Sequence, residues 1–439
     1  MEAHVLASAA TDKNLELVLD VLPALIVILV TSGLCGWLMR WVWQPRVLGE
    51  MVAGVLLGPT LFGWLFPDAQ KAVFPPEVKP ILYVISTIGL TLYMFLVGAG
   101  LDHGGEERDG AHRPIILAIS GIFPALILGA GVGWALWSTL SGGDVSRWLF
   151  AVFLGGALSL TAFPMLARIL YERGLQNSRL GRLTIMAASI DDAAAWCLLA
   201  VLSAVHLGDG TGSAMRTIAL ALLFVTVALV VVRPLLRPLG RAVARAGDLG
   251  LGHTYVVLVV PLAAGWMTDW IGIYSVFGGF IAGLAMPRDS VFRRLVHERM
   301  MNVVSVLLLP VFFTFSGLNT QLGGLTGGTM LMSFLAILTA AFIGKYFGCA
   351  LAMRTLGFGN REAYAVGGLM NARGLMILIF INIGLAQGII SRDVFSMLVL
   401  VAVITTAAAM PLYSLALPRR LEKEQVPAAP EPEKAAAAA

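Results

Sequence analysis

Two adjacent carboxylates, Asp191 and Asp192, sit inside the apolar run MAASIDDAAAWCLLA. One carboxylate at the centre of a bilayer costs on the order of 2.5–3.5 kcal/mol on insertion scales. Two in succession imply a water-filled cavity or a cation beside them. Neighbouring helix positions differ by ~100° around the axis, so one side chain can face a cavity while the other turns toward a neighbouring helix. Such a pair can hold a dehydrated monovalent cation or protons. Desolvation favours the protonated carboxyl and a cation favours the charged one, so proton and metal ion exclude each other from one site. The blander alternative is an acidic pair that only hydrogen-bonds helices together, a task that one Asn performs more cheaply.

Lys345 lies in a second apolar run, TAAFIGKYFGCAL. A lysine that snorkels to the headgroups would have to reach the level of Arg354, ~13 Å along a helix. The functional alternative is an ammonium that pairs with Asp191 until an incoming cation breaks the pair. Two further apolar runs carry polar, breakable centres. One holds Thr161-Ala-Phe-Pro164, and the other holds Gly367-Gly368 followed by Asn371-Ala-Arg-Gly374. Proline removes a backbone donor and clashes with the preceding turn. The pattern predicts a pair of interrupted helices that cross at the midplane and turn freed carbonyls toward an ion. Ser159, Thr161 and Asn371 can add oxygen ligands. Arg373 can offset the negative C-terminal ends of half-helices. The alternative for the first run is an ordinary proline kink.

The remaining candidates carry less. Asp20, Glu50, Asp102 and Asp269 fall near the ends of apolar runs and read as interfacial. His103, His112 and His297 read as solvated loop residues. Cys35, Cys197 and Cys349 all fall within apolar runs and read as small buried hydrophobes without disulfide or metal spacing. There is no P-loop glycine motif, so ATP-driven transport has no support. No nucleophile–base or metal-ligand constellation is visible, and an enzyme is not expected.

The elements that must position these residues are membrane helices. Hydrophobic residues make up 58% of the 439-residue chain and charged residues only 13%, about half the usual share of a soluble domain. Thirteen apolar segments are predicted, at roughly 16–39, 47–65, 80–101, 114–137, 148–170, 182–206, 214–236, 252–270, 272–287, 300–319, 328–351, 362–386 and 393–417. Lys and Arg concentrate in the loops after odd-numbered segments, notably at Arg233, Arg237, Arg241 and Arg245 and at Arg288, Arg293, Arg294 and Arg299. The net charge of +4 is therefore a topology signal and not a nucleic-acid footprint. It places the N-terminus outside and the C-terminus in the cytoplasm of a multi-pass protein in the cell membrane. The expected organisation is an extracytoplasmic N-terminus (1–15), a six-helix repeat (16–206), a linker helix (214–236), a second six-helix repeat (252–417) and a disordered tail (418–439).

Internal similarity supports two repeats. AGVLLGP at 53–59 matches AGLAMP at 282–287, FLVGAGLD at 95–102 matches FTFSGLN at 313–319, and GGALSLTAFP at 155–164 matches GGLMNARG at 367–374. Each pair lies seven segments apart. Seven is odd, so the copies are inverted, as in secondary transporters. The alternative is chance similarity between Gly-rich helices.

LTAFPMLARIL, DDAAAWCLLA, MNARGLMILIFINIG and GVLLGPTLFG together resemble the monovalent cation/proton antiporter superfamily, closest to its Kef-type and plant CHX-type branch. The resemblance covers roughly residues 16–417. It implies the all-α fold of the NhaA- and NapA-type sodium/proton antiporters, with a core domain holding two crossed discontinuous helices, a dimerisation domain and a homodimeric assembly. It also implies that Asp192 is the main ion- and proton-binding carboxylate, that Asp191 is its switchable neighbour, that Lys345 pairs with that neighbour, and that Thr161 lies in the first unwound stretch. Many Kef-type relatives carry a C-terminal nucleotide-binding domain and Gln-Asp where this chain has Asp-Asp, so control by nucleotide or glutathione is not expected. The expected activity is electrogenic exchange of Na+ or K+ for protons by alternating access, with no cofactor beyond the transported ions and with membrane lipid as surroundings. A cation-coupled carrier of a small organic solute and an ion sensor without turnover are the alternatives.

Overall fold

In hydrocarbon a chain must satisfy its own backbone donors and acceptors, which leaves helices as the economical solution for long apolar segments. The computed structural model describes residues 2–42, 44–100, 112–141, 145–172, 175, 178–207, 211–320 and 327–418, and every regular element among them is helical. In chain order these are α1 (Glu2–Trp41), α2 (Arg46–Leu57), α3 (Phe62–Leu65), α4 (Pro67–Val73), α5 (Val78–Gly100), α6 (His112–Leu140), α7 (Arg147–Ser159), α8 (Phe163–Glu172), α9 (Arg179–Leu207) and α10 (Thr211–Val227). They continue with α11 (Arg233–Ala246), α12 (Leu251–Ile271), α13 (Ser275–Ala285), α14 (Ser290–Val303), α15 (Leu309–Leu318), α16 (Gly328–Thr355), α17 (Asn360–Met370), α18 (Gly374–Ala386) and α19 (Arg392–Ala416). Single π segments join α10 to α11 and α14 to α15. Each ends just before a proline, Pro234 or Pro310, and the wider turn absorbs the clash of the ring with the carbonyl four residues back.

Eleven helical segments among the described residues are long and apolar enough to cross a bilayer. The fifth and ninth of the thirteen expected segments fall short of that length. The fifth is interrupted into α7 and α8. The ninth forms only the 11-residue α13, ~16 Å long, split from α12 by the left-handed Gly272 (φ 93°). The twelfth divides into α17 and α18.

Two bundles result. Helices α6–α9 pack with α16–α19. Helices α1, α2 and α5 pack with α12–α15, and α10 lies against α9 and α12. Close backbone approach sets the first bundle. A Cβ on Gly344 would lie 2.6 Å from Ala125 Cα, and one on Gly133 would lie 2.9 Å from Ala151 Cα. Helix α6 is thus sandwiched between α16 and α7 with no room for side chains at these points, the small-residue packing typical of membrane helices.

The snorkelling alternative for Lys345 falls, because its side chain is completely buried. Two local expectations change. Cys35 and Cys349 are buried, but Cys197 is exposed, since it projects from the outer side of α9. Glu50 is buried and ion-paired to Arg46 one turn earlier, at 3.1 Å, rather than sitting in the interface. Asp102, His103, Arg108, Arg173 and the tail at 419–439 lie outside the described residues.

Candidate ion-binding site

The site forms where the two interrupted helices meet. Helix α7 stops at Ser159, and the chain runs extended through Leu160 (φ −71°, ψ 140°) before α8 begins at Phe163. Helix α17 stops at Met370, and α18 begins at Gly374 after Asn371, Ala372 and Arg373. The breaks touch: Ala162 N donates to Ala372 O at 2.9 Å, and Thr161 Oγ1 donates to Met370 O at 3.1 Å. Gly374 permits the approach. Its φ is +42°, and a Cβ there would lie 3.0 Å from Ala162 Cβ.

Ending a helix in the membrane leaves its last four carbonyls without intrahelical donors. At α7 every one is satisfied. Gly156 O accepts from Ser159 Oγ at 2.8 Å. Ala157 O and Leu158 O accept from the Arg373 guanidinium, and Ser159 O accepts from Lys345 Nζ. At α17, Gly367 O accepts from Asn371 Nδ2 (3.0 Å), Gly368 O from Asn371 N (3.2 Å), Leu369 O from Ala372 N (3.0 Å) and Met370 O from Thr161. Two buried cations therefore sit at the negative end of α7, where its dipole favours them. Arg373 also reaches Ala341 O on α16 at 2.6 Å, so its planar fork ties three helices together.

Asp191 and Asp192 project from α9 in different directions. Asp191 Oδ2 accepts from Lys345 Nζ at 2.5 Å, with both side chains buried. Asp192 is only 1% exposed, and neither of its carboxylate oxygens has a hydrogen-bond donor among the described residues. The Phe163 amide at the start of α8 faces it without normal hydrogen-bond geometry. Asn371 Oδ1 is a second buried acceptor without a donor among the described residues. Trp196, one turn after Asp192 on the same face, packs against Phe277 of α13 with ring centroids 6.4 Å apart. Asp192 therefore looks toward the boundary between the bundles, and Asp191 looks into the bundle that contains the crossing.

All seven residues singled out in the sequence lie at this crossing. Ser159 enters differently from expectation, through its carbonyl to Lys345, while its hydroxyl closes its own helix. Thr406 was missed. Its Oγ1 accepts from Arg373 N (3.1 Å) and Gly374 N (3.2 Å), capping α18 from α19. The neighbouring Thr405 merely bonds back to Val401 O, and the sequence holds no signal that separates the two. No group of three or more His, Cys, Asp or Glu able to hold a metal occurs among the described residues. Neutral oxygens such as Asn371 Oδ1 lie at the same crossing.

The chain as a whole is similar to known proteins. Residues 26–412 match the family described as sodium/hydrogen exchanger, transmembrane. The Na(+)/H(+) antiporter NhaS4 of Synechocystis sp. is 37% identical over 89% of this chain and 96% of its own length. Cation/H(+) antiporter 19 of Arabidopsis thaliana is 36% identical over 89% of this chain and 49% of its own length, and K(+)/H(+) antiporter 1 of Saccharomyces cerevisiae is 32% identical over 85% and 44%. The chain thus spans about half the length of these plant and yeast relatives. The solved sodium proton antiporter MjNhaP1 of Methanocaldococcus jannaschii, at pH 8, aligns over 94% of this chain and all of its own, with a TM-score of 0.63 at 13% identity, and so shares the fold. An all-helical fold of this kind and a match running from the first apolar segment to the last lead to one conclusion: the chain belongs to the sodium/hydrogen exchanger family.

Proposed function

We propose that this chain exchanges Na+ or K+ for protons across the cell membrane, with Asp192 holding cation and proton in turn. The observation that carries the reading is the buried Asp192 carboxylate, which has no hydrogen-bond donor among the described residues and faces the boundary between the two bundles. A buried carboxylate without a partner is costly, so it carries either a proton or a metal ion, and each excludes the other. The relatives named for Na+ and for K+ exchange support the choice of cation.

Lys345 and Asp191 give the exchange its charge. A cation entering beside Asp192 breaks the Lys345–Asp191 pair, and two protons leave for each cation bound, one from Asp192 and one from the pair. One net charge then moves per cycle. Helices α6–α9 and α16–α19, tied at the crossing, move as one body against the other bundle and expose Asp192 to each side in turn. In this reading residues 16–206 and 252–417 are inverted repeats joined by the helix at 214–236, with the N-terminus outside and the C-terminus in the cytoplasm. The exposed apolar faces of α1, α10 and α12 meet lipid and a second protomer.

Proteoliposomes with a trapped pH dye test this. Addition of Na+, K+ or Li+ separately is expected to dequench the dye for at least one of them, and an imposed membrane potential is expected to change the rate. A rate indifferent to potential refutes the two-proton stoichiometry. Asp192→Asn is expected to abolish exchange in a folded protein, and full activity in that variant removes Asp192 from the mechanism.

A further inference from the structure

Arg233, Arg288 and Arg293 read from sequence as topology signals only. In the structure all three line one cavity of about 240 Å³. Its walls are the ends of α5 (Gly98, Ala99) and α13 (Gly283 to Pro287), the entry to α14, and the π segment that joins α10 to α11. Among the described residues, no acidic side chain and no residue of the helix crossing lines it.

The fold forces these arginines together. The π segment (Ala228–Val232) packs on α13 and ends immediately before Arg233, and α11 packs on α14. A Cβ on Gly240 of α11 would lie 2.4 Å from Pro287 Cβ, so α11 is held against the turn between α13 and α14. Beside the cavity, α5 and α13 touch backbone to backbone: a Cβ on Gly283 would lie 2.2 Å from Phe95 O. Arg233 is half-buried, and its like-charged neighbours are Arg288 and Arg237. Neither Arg233 nor Arg288 forms an ion pair or a side-chain hydrogen bond among the described residues. Arg299, farther along α14, does pair, with Asp248 at 2.8 Å. Asp289, next to Arg288 in sequence, spends Oδ1 on the Val291 and Phe292 amides as the cap of α14. Arginines near helix C-termini often serve the last carbonyls, but Arg233 and Arg288 donate to none among the described residues.

Like charges brought together without a counter-charge repel, so the arrangement is short of an anion. We infer that this cavity is a phosphate-binding site, with the guanidiniums of Arg233 and Arg288 as its principal ligands and Arg293 beside them. The planar fork of a guanidinium matches phosphate oxygens two at a time. The volume is below the ~300 Å³ at which pockets for drug-sized ligands begin, so it suits a single phosphate group and not a nucleotide. Such a group comes from a phospholipid headgroup or from free phosphate. Val230, Val231 and Leu235 are exposed on the adjoining stretch of the linker, an apolar path for acyl chains beside the cavity. The Lys/Arg distribution assigns this end of the helices to the cytoplasm, where the leaflet carries anionic lipid. A bound phosphate ties the linker helix to α13 and α14.

Thermal unfolding of the delipidated full chain in an uncharged detergent tests this without reference to transport. Dioctanoyl phosphatidylglycerol and inorganic phosphate are titrated separately, against potassium chloride at matched ionic strength. At least one of them is expected to raise Tm by several degrees, as a ligand that binds only the folded state does. The one that half-saturates at the lower concentration names the source of the phosphate. Arg233→Gln and Arg288→Gln are each expected to remove most of the rise. Arg294→Gln makes the same charge change on α14 outside the cavity and is expected to keep it. No rise with either ligand, a rise that survives in the Arg233→Gln, Arg288→Gln double variant, or an equal loss in all three single variants overturns the inference. In phosphate-free buffer Arg233→Gln is expected to be at least as stable as the wild type, because it relieves the repulsion. A lower Tm there would assign Arg233 to a helix end and also overturn it.

Discussion

Replacing Lys345 by methionine keeps the length of the side chain and removes its charge and donors. Two groups then lose their partner: the Asp191 carboxylate, 2.5 Å from Nζ, and the carbonyl of Ser159 at the end of α7. Breaking a buried ion pair from one side costs about 3–5 kcal/mol. A buried carbonyl left without a donor costs about 1–3 kcal/mol. Lys345→Met is therefore expected to destabilise the protein by about 4–8 kcal/mol. Asp191→Asn leaves the ammonium buried without its counter-charge and is expected to cost about 3–5 kcal/mol. The double variant carries no uncompensated charge, and only the Ser159 carbonyl remains orphaned, so it is expected to cost about 1–3 kcal/mol. Equilibrium unfolding of all four proteins in mixed micelles gives the coupling energy, expected to be at least about 3 kcal/mol. That corresponds to roughly two orders of magnitude in the folding constant. Costs that add to within about 0.5 kcal/mol would refute the assignment of a buried, mutually dependent pair. In proteoliposomes the double variant is also expected to lose any dependence of exchange on membrane potential.

Other predictions follow from the same contacts. Thr406→Val orphans the Arg373 and Gly374 amides and is expected to cost about 1–3 kcal/mol in the same unfolding assay. Thr405→Val, which loses only a bond within its own helix, is expected to cost much less, and equal costs would remove Thr406 from the cap. Gly374→Ala forces a side chain into φ +42° and against Ala162, expected to cost about 1–2 kcal/mol for the backbone alone and to slow exchange by loosening the crossing. Wild-type stability and rate in that variant would show that the crossing tolerates a wider gap.

The charged members of the site were legible because charge in an apolar segment is expensive. Asp191, Asp192, Lys345 and Arg373 each demanded an explanation on that ground alone, and the 2.5 Å contact between Lys345 and Asp191 follows the pairing that the resemblance implied. The breaks were legible too, since Pro164 and the run Gly367 to Gly374 interrupt helices for known steric reasons. Neutral groups were not legible. A threonine in an apolar helix usually bonds to its own turn, so Thr406 looks like Thr405 until α19 is packed. The Ser159 carbonyl has no residue type to announce it. The division between the eighth and ninth segments was placed where Gly272 turns the chain, but the sequence does not show that the ninth helix is confined to Ser275–Ala285.

The carbonyls at the end of α7 bear on how the chain is made. Leu158 O waits for the Arg373 guanidinium, 215 residues later in the sequence. At ~5–20 residues per second of synthesis, the interval is about 10–40 s. During that time the N-terminal half has entered the bilayer with the end of α7 unsatisfied in hydrocarbon, where each such group costs several kcal/mol. The first broken helix therefore cannot reach its finished form when it leaves the ribosome. Water held in the insertion machinery, or a temporary continuous helix through Leu160, has to serve until α16 and the second break arrive. The native crossing is then a late event of biogenesis, and a chain truncated before residue 345 is expected to be a substrate for membrane quality control rather than a stable half.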